Sequence, residues 1–154
     1  MQPKDLIEHP EGGRYREVYR SLCHVQTSDR GMRCALTHIY FSLAPHEFSH
    51  FHKVSSDEVW NLYQGTGLRL FLWDGTSQHL ETVELSVANT NFCHVVPANY
   101  WQAAIPKADT VLVGCSVAPG FELTDFELLY ADSDIAKRLL HNHPEVKQLI
   151  YADT

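Results

Sequence analysis

The chain has 154 residues, of which 44% are hydrophobic and 20% charged, with a net charge of −7. That composition fits one ordinary domain, which buries roughly 70% of its unfolded surface and needs neither a metal nor disulfides to fold. The acidic balance and the lack of any basic run argue against nucleic acid as a partner, and no apolar stretch approaches the ~20 residues of a membrane span.

The N-terminal "MQPKDLIEHPEGG" is polar, lacks the apolar core of a signal peptide, and allows a helical turn around residues 5–9. Gly12-Gly13 then permit a tight turn into a strand over 14–20, in which Arg14 and Arg16 alternate with Tyr15 and Glu17. An arginine fork suits a carboxylate or phosphate, so Arg14 is a candidate ligand-binding residue, although an ion pair to Glu17 or Asp125 explains it equally well. A local arginine inside a pocket leaves an anionic ligand open despite the negative net charge.

Further strands are expected over 34–42, 48–52, 58–64, 68–73, 82–85, 93–96, 101–104, 111–116 and 126–130, separated by turn chemistry such as "VSSD", "QGTG" and "PKAD". "WDGTS" reads as a hairpin turn, since Asp-Gly supplies the positive φ values such turns need. Only "DSDIAKRLLHNHPEVKQLIY" is helical, with Ser133 or Asp134 as N-cap and Pro144 ending one helix and opening another. Many short strands followed by a helical tail predict an all-β sandwich or barrel with a C-terminal cap. Cys23, Cys34, Cys93 and Cys115 form no CxxC pair, which favours free thiols and a reduced, cytoplasmic setting.

Within "SHFHKVSSDEVWNLYQG", strand parity puts His50 and His52 on one face, and a hairpin at Ser55-Ser56-Asp57 would bring His52 beside Glu58. These residues resemble the first motif of the cupins, in which HxH is followed by glutamate and, six residues on, glycine. Here Glu58 and Gly65 keep that interval, but five residues separate His52 from Glu58 where three or four are usual. In the second motif Asn99 stands at the glycine and Gln102 at the third metal histidine. A narrower resemblance runs from about residue 6 to 129 through "HPEGGRYREVY", "THIYFSL", "FHKVSSDEVW", "VVPANYWQAA" and "LVGCSVAPGFELTDFELL". These blocks are similar to a family of small, largely uncharacterised cupins related in fold to deoxysugar 3,5-epimerases. Against that family Asn61 replaces a usual histidine and Cys93 a usual glutamine, while His52 matches and His50 stands where a small residue is expected.

The resemblance implies a jelly-roll β-barrel as a single domain over 1–154, with the barrel at about 14–130 and the helical tail at 131–154. It also implies an interior pocket for a small molecule, and the sheet edges of a jelly roll suggest a homodimer. His52 and Glu58 are the catalytic candidates, because a glutamate among Val59, Trp60 and Leu62 is partly desolvated and its pKa rises toward catalytic use. Arg14, Tyr40, Trp60, Asn61, Trp101 and Gln102 are the candidate ligand contacts. If a divalent metal is bound, His50, His52, Glu58 and Gln102 would hold it, though the lost histidine weighs against this. Isomerisation or epimerisation of a small sugar- or keto-acid-like substrate by acid–base chemistry leads. A metal-dependent dioxygenase or lyase and a non-catalytic ligand sensor are the alternatives.

Overall fold

A computed structural model describes residues 2–153, so the two ends of the expected 1–154 span lie outside the described residues. In chain order the strands are β1 (Ile7–Glu8), β2 (Arg14–Arg20), β3 (His24–Gln26), β4 (Met32–Cys34), β5 (Thr37–Leu43), β6 (Ser49–Val54) and β7 (Asp57–Gln64). They continue as β8 (Gly67–Trp73), β9 (Glu81–Ser86), β10 (Cys93–Val96), β11 (Trp101–Pro106), β12 (Val111–Ala118) and β13 (Phe126–Leu128). A six-stranded sheet runs β1-β2-β5-β12-β7-β10, a five-stranded sheet runs β13-β6-β11-β8-β9, and β3-β4 form a separate hairpin. All ladders are antiparallel. Two such sheets facing each other make the expected jelly-roll barrel.

Period-two patterning builds the core. Phe41 and Leu43 of β5, Trp60 and Leu62 of β7, Leu68, Leu70 and Leu72 of β8, and Val111 and Val113 of β12 meet between the sheets. The alternate residues of the five-stranded sheet, Phe51, Phe71, Trp73, Trp101 and Ala103, face the other way, into a second cluster under the C-terminal helices. There Ser133 caps α1 (Asp134–Asn142), its Oγ accepting from the Ala136 N–H at 3.1 Å, and Pro144 opens a 3-10 helix through Leu149. Ala136, Leu139, Val146 and Leu149 cover the sheet from that side.

Four expectations are corrected. Residues 5–9 contain β1 rather than a helical turn, and the stretch before β5 holds the unforeseen β3-β4 hairpin. Asp74-Gly75 do not make a two-residue hairpin turn. Asp74 Oδ1 instead accepts the N–H groups of Thr76 and Ser77, each at 2.8 Å, and organises a longer loop between β8 and β9. Finally, β6 and β7 are not a paired hairpin, because they belong to opposite sheets. His52 and Glu58 therefore reach the interior from opposite sheets rather than along a ladder.

Candidate functional site

One end of the barrel interior is open as a cavity of about 280 Å³, reached by residues from both sheets, from the β1–β2 loop and from the segment before β13. Thr37, Ile39 and Phe41 of β5, Glu58 of β7, and Cys115 and Val117 of β12 give one wall, and His52 and Val54 of β6 another. His9 and Glu11 enter from the β1–β2 loop, while Arg20, Phe121, Glu122 and Phe126 contribute nearer its mouth.

The loop that carries Glu11 is built by glycine. Gly12 has φ of +105°, and a Cβ there would collide with the Phe48 carbonyl oxygen. The turn is closed by the His9 N–H donating to the Gly13 carbonyl and the Gly12 N–H to the His9 carbonyl, both at 3.0 Å. It docks on the start of β6, where the His50 N–H donates to the Glu11 carbonyl at 2.8 Å. The Ser49 hydroxyl donates to Glu11 Oε1, also at 2.8 Å. Glu11 Oε2 is thereby held 3.1 Å from His52 Nε2 and 3.3 Å from His9 Nδ1.

Hydrogen-bond directions and burial together place the protons. His52 Nδ1 lies 2.8 Å from the His50 carbonyl, which can only accept, so Nδ1 carries the hydrogen and Nε2 of the neutral ring is a lone pair. His9 Nδ1 accepts the Glu11 N–H at 3.3 Å and is a lone pair as well. With both rings kept neutral by burial, the group between them must donate, so Glu11 is a carboxylic acid with its proton aimed at imidazole nitrogen. The energetics agree. Burial, then the nearby Glu58 charge, raise the Glu11 pKa well above the usual carboxyl value, outweighing the Ser49 bond. Burial lowers His52 to about 3 and His9 to about 4. The 3.1 Å contact is thus an O–H···N hydrogen bond rather than an ion pair.

Glu58 has a different support. Trp60 Nε1–H donates to Gln102 Oε1 at 2.8 Å, which turns the Gln102 amide nitrogen toward Glu58 Oε2, also at 2.8 Å. Flipping the amide would set two donors against each other at Trp60, so the orientation is determined by chemistry. Burial raises Glu58 to about 7, against the opposing bonds from Gln102 and Cys115. Cys115 is held as a neutral thiol, raised first by burial and then by the neighbouring Glu58 charge.

Of the residues singled out from sequence, His52 and Glu58 line the cavity and Gln102 stands behind Glu58. Trp60 is in the core beneath them. Arg14 is exposed, Trp101 packs on the outer face with Lys53 4.7 Å from its ring, and Tyr40 lies outside under Arg16. Asn61 bonds the Gly114 carbonyl on the outer side of β7. None of these four reaches the cavity. His50 and His52 do not share a face, because β6 carries a bulge: Ser49 pairs with Ala104 and His52 with Gln102, leaving His50 and Phe51 opposite one residue. Ser49 and His52 consequently both point inward, and His50 Nδ1 reaches the Glu11 carbonyl at 2.7 Å instead.

The proposed metal set does not fit. His50 is turned away to the Glu11 backbone, and the Gln102 oxygen is consumed by the Trp60 indole. Among the described residues no three His, Cys, Asp or Glu side chains come together so as to hold a metal ion. Sequence reasoning missed Glu11, His9 and Arg20. The signal for the first two was "HPEGG", whose glycines mark a backbone forced close to another strand.

The model of the family described as cupin superfamily (DUF985) matches residues 1–129. The chain belongs to this cupin family. Among solved structures it is similar to a hypothetical protein from Leishmania major, at 29% identity and TM-score 0.80 over 95% of this chain and 93% of that one. It is similar to a Shewanella oneidensis protein at 30% identity and TM-score 0.78, covering 96% and 92% of the two chains. A cupin 2 domain-containing protein from Halorhodospira halophila shares the fold at 15% identity and TM-score 0.60, over 96% and 89%. No curated protein matches this cupin.

Proposed function

We propose that this cupin is an isomerase- or epimerase-type enzyme that moves a proton beside a carbonyl of a small polar molecule held in the barrel. The observation that carries the reading is the 3.1 Å contact between Glu11 Oε2 and His52 Nε2, in a cavity that Glu58 also lines with its pKa raised by burial to about 7. Isomerisation by proton transfer needs a base on one side of the reacting carbon and an acid on another, both close to neutrality in their proton affinity. Glu58 serves as the base in its ionised form, steadied by the Gln102 amide as charge develops. The Glu11–His52 pair is a single proton-holding unit, oriented at one end by Ser49 and at the other by the His50 carbonyl, and returns the proton. The sequence resemblance to cupins related in fold to 3,5-epimerases implies the same class of reaction, but fold alone would not carry it.

The test is solvent exchange. Small aldoses, ketoses and α-keto acids are incubated with the protein in D2O, and loss of the proton beside the carbonyl is followed by NMR. Exchange should appear with at least one compound and rise with pH through about 7. It should fall by roughly 10²–10⁴-fold in Glu58→Gln and in Glu11→Gln. No exchange with any compound, together with a co-purifying ligand recovered unchanged, would refute the enzyme and leave a binding protein.

A further inference from the structure

The cavity contains a cation that cannot serve a ligand. Arg20 is the one Lys or Arg side chain among its lining residues. A guanidinium has five N–H donors, and all five are used. Nε and Nη2 donate to the Glu17 carboxylate at 3.0 and 2.9 Å, and Nη1 donates to Glu122 Oε1 at 3.0 Å. The remaining two N–H groups reach the Phe121 carbonyl at 3.1 Å and the Cys34 sulfur at 3.6 Å. His9 and His52 are neutral rings whose inward nitrogens face Glu11. An entering carboxylate or phosphate would meet the Glu58 carboxyl and the Glu17 and Glu122 carboxylates, with no free positive donor among the described lining residues. Like charges in a low-dielectric cavity repel strongly.

The same walls suit the opposite charge. Tyr15, Phe41, Phe121 and Phe126 bring aromatic rings to the cavity, and such ring faces attract ammonium groups. Glu58 sits among them as a carboxyl with no cationic partner of its own, its bonds coming from a neutral amide and a thiol. We infer that the ligand of this cavity is a small molecule bearing a protonated amine, seated against Glu58 and the aromatic rings, and that carboxylates and phosphates are refused. This rests on the reading that the cavity is the functional site, and it narrows the substrate class by removing the keto acids. Amine entry should release the fraction of a proton, about a quarter near pH 7.5, that Glu58 still retains in the empty cavity, because a cation beside it favours the ionised form.

Three probes of matched size settle the matter on the intact protein: n-propylamine as its ammonium ion, 1-propanol and propionate, titrated at about pH 7.5 and followed through the backbone amide signals of Thr37, Cys115 and Val117. A ligand of four non-hydrogen atoms reaches tens of micromolar at best, on the order of 10⁻⁵ M, so a millimolar titration covers its range. Propylammonium should give saturable shifts at millimolar concentration and bind about tenfold or more tightly than propanol, while propionate should give none. Calorimetry in two buffers of different ionisation enthalpy should record proton release on ammonium binding alone. Glu58→Gln, with a native-like spectrum, should bring propylammonium down to the level of propanol; the charge order in the unaltered protein stands even if that variant does not fold. Equal binding of all three probes, tighter binding of propionate, or no saturable binding of propylammonium would each overturn the inference. Glu58-dependent exchange on an anionic substrate would sink the ligand class and leave the acid–base reading standing. Ammonium binding in the expected order without exchange on any compound would do the reverse.

Discussion

Replacing Glu58 by glutamine tests the electrostatics of the site through folding rather than catalysis. Burial raises the Glu58 pKa from 4.5 to about 7 in the folded protein. A group with a raised folded pKa contributes stability fully below its unfolded value, and loses it as pH rises through the folded one. The wild type should therefore lose stability from Glu58 between about pH 4.5 and 7, then level off. At 1.36 kcal/mol per pH unit, a displacement of about 2.5 units is about 3 kcal/mol. The glutamine side chain keeps an acceptor for the Gln102 amide and cannot ionise, so this pH dependence should vanish in the variant. His9 and His52 act with the opposite sign, because their lowered pKa values make stability fall below pH 6.5, from where the unfolded chain takes up protons. They are present in both proteins and cancel in the difference. Urea unfolding followed by tryptophan fluorescence, from about pH 4.5 to 8.5, gives the difference between wild type and Glu58→Gln. It should move by about 3 kcal/mol in favour of the variant as pH rises, somewhat more if the Glu58 charge also hinders Glu11. A difference independent of pH would show that Glu58 ionises as freely as in water, and the argument for its role as base would fall with it.

Gly12→Ala should destabilise by about 2 kcal/mol or more in urea unfolding, because alanine disfavours φ of +105° and its Cβ meets the Phe48 carbonyl; wild-type stability would refute the strained-turn account of Glu11. Asp125→Asn should cost about 3 kcal/mol, since the buried Asp125 carboxylate takes Arg33 at 2.8 and 2.9 Å and Arg30 at 3.0 Å. Asp125 has a lowered pKa, so its contribution should persist above pH 3.8 and fade only below it, and fading at higher pH would count against the ion pair. A homodimer is expected, because Tyr19, Tyr63 and Val95 are about half exposed on strands β2, β7 and β10 of the six-stranded sheet; a sedimentation mass of 17.6 kDa at micromolar concentration would refute it.

The barrel was legible in the sequence because its signal is local. Alternation such as Leu68, Leu70, Leu72 against Arg69, Phe71, Trp73 states which residues face inward, whatever the strand pairs with. What alternation cannot state is which sheet a strand joins. Residues 49–64 look like a hairpin, two runs and a turn, yet Ser55-Ser56 carry the chain from one sheet to the other. The β6 bulge was hidden for a related reason. One extra residue leaves the composition of the strand unchanged but reverses parity on one side of it, so His50 was placed with His52 and Ser49 was passed over.

The site was half legible along the same division. His52 and Glu58 could be chosen because a costly side chain in an apolar strand needs a reason to be there. Glu11 carried no such mark, since it sits in a polar loop where a glutamate costs nothing as read from sequence. Its burial arises only when the Gly12 turn folds the loop against β6, and its proton is located only once Ser49, His52 and His9 surround it. Arg14 and Arg20 illustrate the converse. Strand parity favours neither, and the bulge opposite β5, between Glu17 and Tyr19, is what turns Arg20 to the cavity mouth while Arg14 stays outside. Once there, Arg20 is bound on every N–H by its neighbours, so the residue type that suggests an anion from sequence becomes, in the folded protein, part of the reason an anion is refused.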